Sequence, residues 1–367
     1  MAGSIFGKIF QISTWGESHG KGIGVVIDGC PAGLELDEGD IQVFLDRRKP
    51  GQSAYTTHRK ESDLATIYSG TFEGKTTGTP ISILIPNEDQ HSKDYGNIAK
   101  IYRPGHADFT FDQKYGFRDY RGGGRSSGRE TAARVAAGAV ASKILSKMGI
   151  FLSAYTKSIG PVSIPSSEYH LEERMDNSLF MPNNAYAKEA EAFLSDCIQK
   201  RDSAGGVIEC VVKGLPCGIG NPVFDKLDAL LAEAMFSIGA VKGFEVGDGL
   251  DVSTSYGSEN NDPFYVKDGK IKASSNHCGG VLGGMSNVSD LIFRVAIKPT
   301  PSIGQMQHSA TSDFEETDFE IKGRHDPVIV PRAVVVVESM AAITLVDLLF
   351  SNMSSRMDKI IDFYQKN

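Results

Sequence analysis

Apolar and polar positions alternate through residues 1–30, where Ile9, Ile12, Val25, Val26 and Ile27 surround a glycine-rich break. A period of two predicts a β-hairpin, and Pro31-Ala32-Gly33 closes it as a turn. Residues 37–48 change to helical spacing, with Ile41, Phe44 and Leu45 on one face, Asp37 as a start signal and Pro50-Gly51 as a stop. Residues 79–86 read as a buried strand, and residues 96–121, mixed and rich in Tyr and Arg, read as loop. Residues 130–148 are the clearest helix, filled with Ala, Leu and Lys and opened by Ser127-Gly128-Arg129-Glu130, an S-x-x-E capping box. Residues 161–200, acidic and broken by Pro161, Pro165 and Pro182, predict a surface insertion that ends in a helix over 185–199. Strands follow at 206–212 and 293–298, helices at 222–238 and 332–350, and an acidic loop at 311–320. This order lacks the regular alternation of a doubly wound fold. It predicts an α+β chain in which two antiparallel β-sheets cover a helical core.

Length narrows this only slightly. At about 150 residues per domain, 367 residues suggest two domains or one large one. A hydrophobic share of 40% with 23% charged residues excludes a disordered chain. The net charge of -8 argues against a general nucleic-acid binder, since affinity for phosphate backbones needs basic surface. Residues 1–20 do not show the basic and apolar regions of a secretory signal, and no long uncharged apolar window predicts a membrane span, so a cytoplasmic location with no membrane partner is expected. Five cysteines without C-x-x-C spacing form neither a disulfide framework nor a zinc site, and no metal is expected. Glycine accounts for 40 residues without a collagen period. Its clusters at 20–24, 122–124, 279–280 and 283–284 suit backbone approach to a ligand.

Candidate chemistry gathers in the loops. Arg121-Gly122-Gly123-Gly124-Arg125-Ser126-Ser127-Gly128-Arg129 precedes the strongest helix. Glycine-exposed amides, a helix N-terminus and guanidinium forks together suit an anion such as phosphate. No dinucleotide-binding G-x-G-x-x-G joins a strand to a helix, and residues 70–76 miss the P-loop by one residue. G-x-S-x-G occurs around Ser18 and around Ser126, which keeps a serine hydrolase open. A phosphate-ligand binding protein without turnover is a third reading. His19, His106 and His325 lie in glycine- or proline-flanked, charge-rich loops, where an imidazole exchanges protons near neutral pH. Asp326 adjoins His325 and Arg324 and suits a base or an orienting carboxylate. Lys298-Pro299-Thr300-Pro301-Ser302 adds a cation and hydroxyls.

Taken together, several motifs resemble the chorismate synthase family over nearly the whole chain. They are Trp15 to Gly20, Asp46-Arg47-Arg48 with Pro50-Gly51, Tyr55-Thr56-Thr57, Arg103 to Asp108, residues 120–138, Ser275-Asn276-His277, and Gly323 to Pro327. The resemblance implies a lyase that removes phosphate from 5-enolpyruvylshikimate 3-phosphate to form chorismate, with reduced FMN as a transient electron donor. It implies that His106 protonates or stabilises the reduced flavin, that His19 helps phosphate leave as a general acid, and that Asp326 assists deprotonation at the flavin. By the same resemblance Ser18, Arg48 and Arg129 contact substrate. Arg125, Ser126, Ser127, Gly239, Ala240, Gly283, Lys298, Pro299, Thr300, Pro301, Ser302 and Arg324 contact FMN. The implied fold is one domain, residues 1–367, assembled as a homotetramer and supplied with reduced flavin by an external flavin reductase. Two departures stand out. Pro301 replaces a serine common in relatives, and Ala54 replaces an arginine assigned to NADP, which leaves NADP(H) only an indirect role.

Overall fold

The computed structural model describes residues 3–51, 55, 61–88, 99–321 and 326–365. Two five-stranded antiparallel sheets enclose a layer of helices. The first sheet contains Ile5–Phe6 (β1), Gln11–Gly16 (β2), Gly22–Asp28 (β3), Thr66–Ser69 (β4) and Ile81–Pro86 (β5), in the order β1-β2-β3-β5-β4. Phe151–Ile159 (β6), Val162–Ser163 (β7), Gly206–Lys213 (β8), Val241–Val246 (β9) and Leu291–Ile297 (β10) form the second, in the order β9-β10-β8-β6-β7. The period-two pattern explains both. Ile81, Ile83 and Ile85 of β5 and Leu291, Phe293, Val295 and Ile297 of β10 all turn inward and are buried.

Between the sheets lie Glu38–Arg48 (α1), Thr131–Lys147 (α3), Leu227–Phe236 (α5) and Val330–Asn352 (α6); Asp108–Tyr115 (α2), Asn184–Gln199 (α4) and Met357–Gln365 (α7) complete the larger helices. α3 packs along α6, α3 meets β3 and β5, and α6 meets β6 and β8. Gly138 marks the helix crossing, because a Cβ placed there would lie 2.1 Å from the Ser339 Cβ. α6 has the length and apolarity of a membrane span, yet 89% of its most apolar window is buried inside the molecule. Both of its carboxylates are paired, as buried charge requires. Glu338 accepts from Arg47 Nη1 and Nη2 at 2.8 and 3.0 Å, and Asp347 accepts from the backbone amides of Lys8, Ile9 and Phe10.

Five local expectations are corrected. The 127–130 capping box forms only by half. Ser127 Oγ accepts from the Arg129 amide at 3.2 Å and caps a short 3-10 turn, while the Glu130 carboxylate takes Arg134 Nε at 2.9 Å and the Thr14 hydroxyl at 3.2 Å. The helix expected over 222–238 begins only at Leu227, whose amide donates to Gly284 O at 2.8 Å. Residues 96–121 contain α2, because Asp108 in its first turn accepts from Arg103 Nε, Nη2 and backbone N. The acidic stretch 311–320 supplies the strand Glu316–Glu320, paired with Met306–Ala310. Residues 161–200, expected as a surface insertion, bury Val162, Ile164, Leu179, Met181, Ala190 and Leu194 in the common core.

Candidate active site

The β2–β3 hairpin carries the first histidine. Its turn is tight, with the Gly20 amide donating to Glu17 O at 3.0 Å, and this presents Ser18 and His19 together. Ser18 is buried, and its Oγ lies 3.1 Å from His19 Nδ1. The 121–129 loop covers the imidazole. A Cβ on Gly122 would come within 2.4 Å of both His19 Cε1 and Nδ1 and within 3.0 Å of Ser18 Oγ, so only glycine fits against the ring as placed.

The arginines of that loop spend their donors on the protein. Arg121 Nε donates to Asp119 at 2.8 Å. Arg125 binds β2 through Gly16 O at 3.1 Å and through Thr14 O and Oγ1 at 3.1 and 2.7 Å. Arg129, 4% exposed, donates to Asn87 Oδ1 at 2.7 Å, to Pro86 O at 2.9 Å and to Asp63. Ser126 Oγ donates to Gly123 O at 2.7 Å within its own turn, and no imidazole or carboxylate among the described residues is hydrogen-bonded to it as a nucleophile's base would be.

Behind this loop lies a buried ionic cluster. Arg48 is 1% exposed, and its Nη1 donates to Gly128 O at 3.1 Å and to Thr131 Oγ1 at 3.3 Å. Its Nη2 stands 3.2 Å from Asp63 Oδ2 as an ion pair without hydrogen-bond alignment, and Arg48 Nε and Nη2 have no hydrogen-bond acceptor among the described residues. Asp63 is fully buried. Burial would raise its carboxyl, but Arg48 and Arg129 hold it below the usual carboxylate range. Burial, reinforced by Arg332 and Arg129 and opposed by Asp63, draws the Arg48 guanidinium down to about 10. The downward shift is chiefly the cost of burying a guanidinium, and the cluster holds three arginines, Arg48, Arg129 and Arg332, against the carboxylates of Asp63, Asp326 and Glu61, which stands 3.8 Å from Arg129. Arg332 Nε donates to Arg48 O at 3.2 Å and its Nη1 to Asp326 Oδ2 at 3.0 Å, so Asp326 joins the edge of this cluster.

The second histidine lies on the segment leading into α2. His106 Nδ1 faces Pro104 O at 3.1 Å, and its Nε2 faces Ser302 Oγ at 2.9 Å. The carbonyl can only accept, so Nδ1 carries the proton and the Ser302 hydroxyl donates to Nε2. Burial, with Arg103 nearby, lowers His106 to about 4, which keeps the ring neutral at pH 7. Lys298 Nζ donates to Gly105 O at 2.9 Å and ties the two loops together. The Thr300 hydroxyl oxygen is buried with no hydrogen-bond partner among the described residues.

Two backbone links join these regions. Gly239 lies beside Ser126, whose carbonyl would be 3.9 Å from an added Cβ, and the next carbonyl, Ala240 O, accepts from the Lys298 amide at 2.9 Å. Ala240 holds φ +72°, a strained value for a residue with a Cβ. Ser203 Oγ donates to Thr300 O at 2.7 Å while the Ala204 amide donates to Pro327 O at 2.8 Å, so the loop bearing Ser302 and the one bearing Asp326 share a support. Pro299 and Pro301 belong to the same 298–302 loop. Gly283 sits apart in sequence and support, in the turn of the Val281–Leu282 and Met285–Ser286 hairpin against the start of α5, whose far end leads to Gly239. Arg324, His325 and Ala54 lie outside the described residues, as do Thr56 and Thr57. Sequence reasoning missed Asp63, Asn87, Arg332 and Ser203. No group of three or more His, Cys, Asp or Glu side chains among the described residues could hold a metal.

A helical layer between antiparallel sheets, with two imidazoles each held by a serine hydroxyl and a buried arginine–carboxylate cluster behind one of them, defines an α+β enzyme that handles a small molecule. The chorismate synthase family profile matches residues 10–350. Chorismate synthases from Agathobacter rectalis and Lachnoclostridium phytofermentans are 61% and 62% identical to the chain, each over 100% of both sequences. A crystal structure of a chorismate synthase superposes with a TM-score of 0.78 at 31% identity, covering 98% of each chain. The chain belongs to the chorismate synthase family, a family of lyases in chorismate biosynthesis.

Proposed function

We propose that the chain eliminates phosphate from C3 and hydrogen from C6 of 5-enolpyruvylshikimate 3-phosphate, releasing chorismate and inorganic phosphate, with reduced FMN bound alongside the substrate. The observation that carries this reading is the approach of the 121–129 loop, which covers His19, to Gly239, whose neighbour Ala240 accepts from Lys298 at the start of the loop that meets His106, with the buried Arg48 and Arg129 behind them. Arg48 and Arg129 attract the anionic groups of the substrate, and Ser18 supports His19. His19 delivers a proton to the departing phosphate. Asp326, oriented by Arg332, assists deprotonation at the flavin.

The residues fit a flavin mononucleotide at one point in particular. The Thr300 hydroxyl, which has no hydrogen-bond partner among the described residues, the Lys298 cation and the strained Ala240 backbone lie close together where a phosphate or ring edge would find donors. Bound there, reduced FMN supplies an electron transiently and takes up hydrogen, so that the overall reaction is redox-neutral. His106, neutral and oriented by Ser302, is poised to hold or give a proton at the flavin. Arg125, Ser126 and Ser127 shape the wall of this region, and Pro299, Pro301, Ser302, Gly283 and Arg324 complete the flavin contacts in this reading. The chain works as one catalytic domain in a cytoplasmic homotetramer and receives reduced flavin from a separate reductase, with NADP(H) acting only there.

An anaerobic assay of chorismate absorbance tests the proposal. Turnover is expected with reduced FMN and absent with oxidised FMN alone, and His19→Ala and His106→Ala should each lower kcat by about 100-fold or more while the protein stays folded. Turnover independent of flavin, or unchanged in both variants, would overturn it.

A further inference from the structure

We infer that Asn87 is a positioning residue for His19. It lies just beyond the end of β5, and its side chain spends both amide protons and its carbonyl oxygen on neighbouring groups. The two Nδ2 protons go to Glu17 O at 2.9 Å and Gly20 O at 2.8 Å, the carbonyls that bracket Ser18 and His19. Oδ1 accepts from Arg129 Nε at 2.7 Å, and the Asn87 amide donates to Lys21 O at 3.2 Å. One neutral amide therefore clamps the histidine turn at both ends and bolts it to Arg129, which is itself fixed by Asp63 and Pro86. Gly122 bounds the ring from the other side. No other side-chain type of this size offers two donors and an acceptor in that arrangement.

The inference rests on His19 being the proton donor, and its test separates the two ideas. Asn87→Asp keeps the shape and the Arg129 contact but replaces both donors to the turn with acceptors. Expected is a kcat loss of about 30-fold with KM within about threefold, since a displaced catalytic group costs transition-state stabilisation more than binding. The limb of the kcat–pH profile that disappears in His19→Ala should move to higher pH, because a carboxylate replaces a neutral amide nearby. In the double variant with His19→Ala the Asn87 change should cost less than about threefold, as residues acting in one unit are non-additive. Asn87→Ala, which brings no charge, should reproduce the kcat loss and the non-additivity, and it stands in if the Asp variant does not fold. Equal losses on both backgrounds, or a kcat within about threefold of the parent while His19→Ala is impaired, would overturn the role of Asn87. An unimpaired His19→Ala would instead overturn the role of His19.

Discussion

Gly122→Ala isolates the placement of His19 from everything else in the site. Gly122 has a backbone conformation open to residues with a side chain, so the substitution brings no φ strain. What it brings is a methyl group 2.4 Å from His19 Cε1 and Nδ1, where unbonded carbons normally sit about 3.5–4.0 Å apart. The ring must retreat by roughly 1 Å, or the 121–129 loop must lift by as much. A misplacement of about 1 Å costs on the order of 100-fold in rate, or about 2.7 kcal/mol of transition-state stabilisation. Arg121 pairs with Asp119 just before the change, and Arg125 and Arg129 anchor the loop after it, so the thermal midpoint should stay near that of the parent. The assay is anaerobic chorismate formation with saturating reduced FMN, with kcat and KM resolved separately and thermal unfolding followed on the same samples. Expected is a loss in kcat approaching that of His19→Ala, with KM little changed. A kcat within about threefold of the parent in a folded protein would refute the reasoning, because the imidazole would then have no fixed catalytic position.

Three further outcomes follow from the same contacts. Gly138→Ala places a Cβ 2.1 Å from the Ser339 Cβ, and overpacking at about 1–3 kcal/mol should outweigh a helix-propensity gain of about 1 kcal/mol, lowering the urea midpoint; an unchanged or higher midpoint would contradict the close α3–α6 crossing. Asp63→Ala leaves Arg48 without its buried carboxylate and Arg129 with only Glu61 at 3.8 Å, and should destabilise the fold by about 3–5 kcal/mol in denaturant titration, whereas a loss under about 1 kcal/mol would show the cluster is not closed in this way. His106 should titrate near pH 4 by imidazole NMR in the ligand-free protein, below the reference of about 6.5. Its folded value is depressed, so the stability linked to its neutral form is complete above about pH 6.5 and is lost as pH falls through about 4; His106→Gln should flatten that limb, and a midpoint near 6.5 would contradict the buried neutral ring.

The parts of the molecule legible in the sequence are those whose signals are local. Asp37 forms a capping box with Asp40 at the start of α1, and the period-two isoleucines of β5 face the core. His19 and His106 stood out because glycine and proline flank them. What was hidden depends on distant pairings. Asp63 looks like an ordinary loop aspartate until Arg129, 66 residues away, folds onto it, and Arg332 contacts Arg48 across 284 positions. The delayed start of α5 is also set at long range, since its first amide is satisfied by Gly284 O. Glycine counting suggested an anion nest at 121–129. The structure uses Gly122 to admit the His19 ring and turns Arg125 and Arg129 inward, so their guanidinium donors are taken up by protein acceptors and not by an open nest.

The central claim is that this chain joins phosphate elimination to a flavin that ends each turnover as it began. It is tested most directly by supplying a small, known amount of reduced FMN under strict anaerobiosis with excess 5-enolpyruvylshikimate 3-phosphate, then counting chorismate, phosphate and reduced flavin at completion. The account predicts many chorismate molecules per flavin, phosphate released in equal amount, and the flavin still reduced. One product per flavin oxidised, or phosphate released without chorismate, would contradict it.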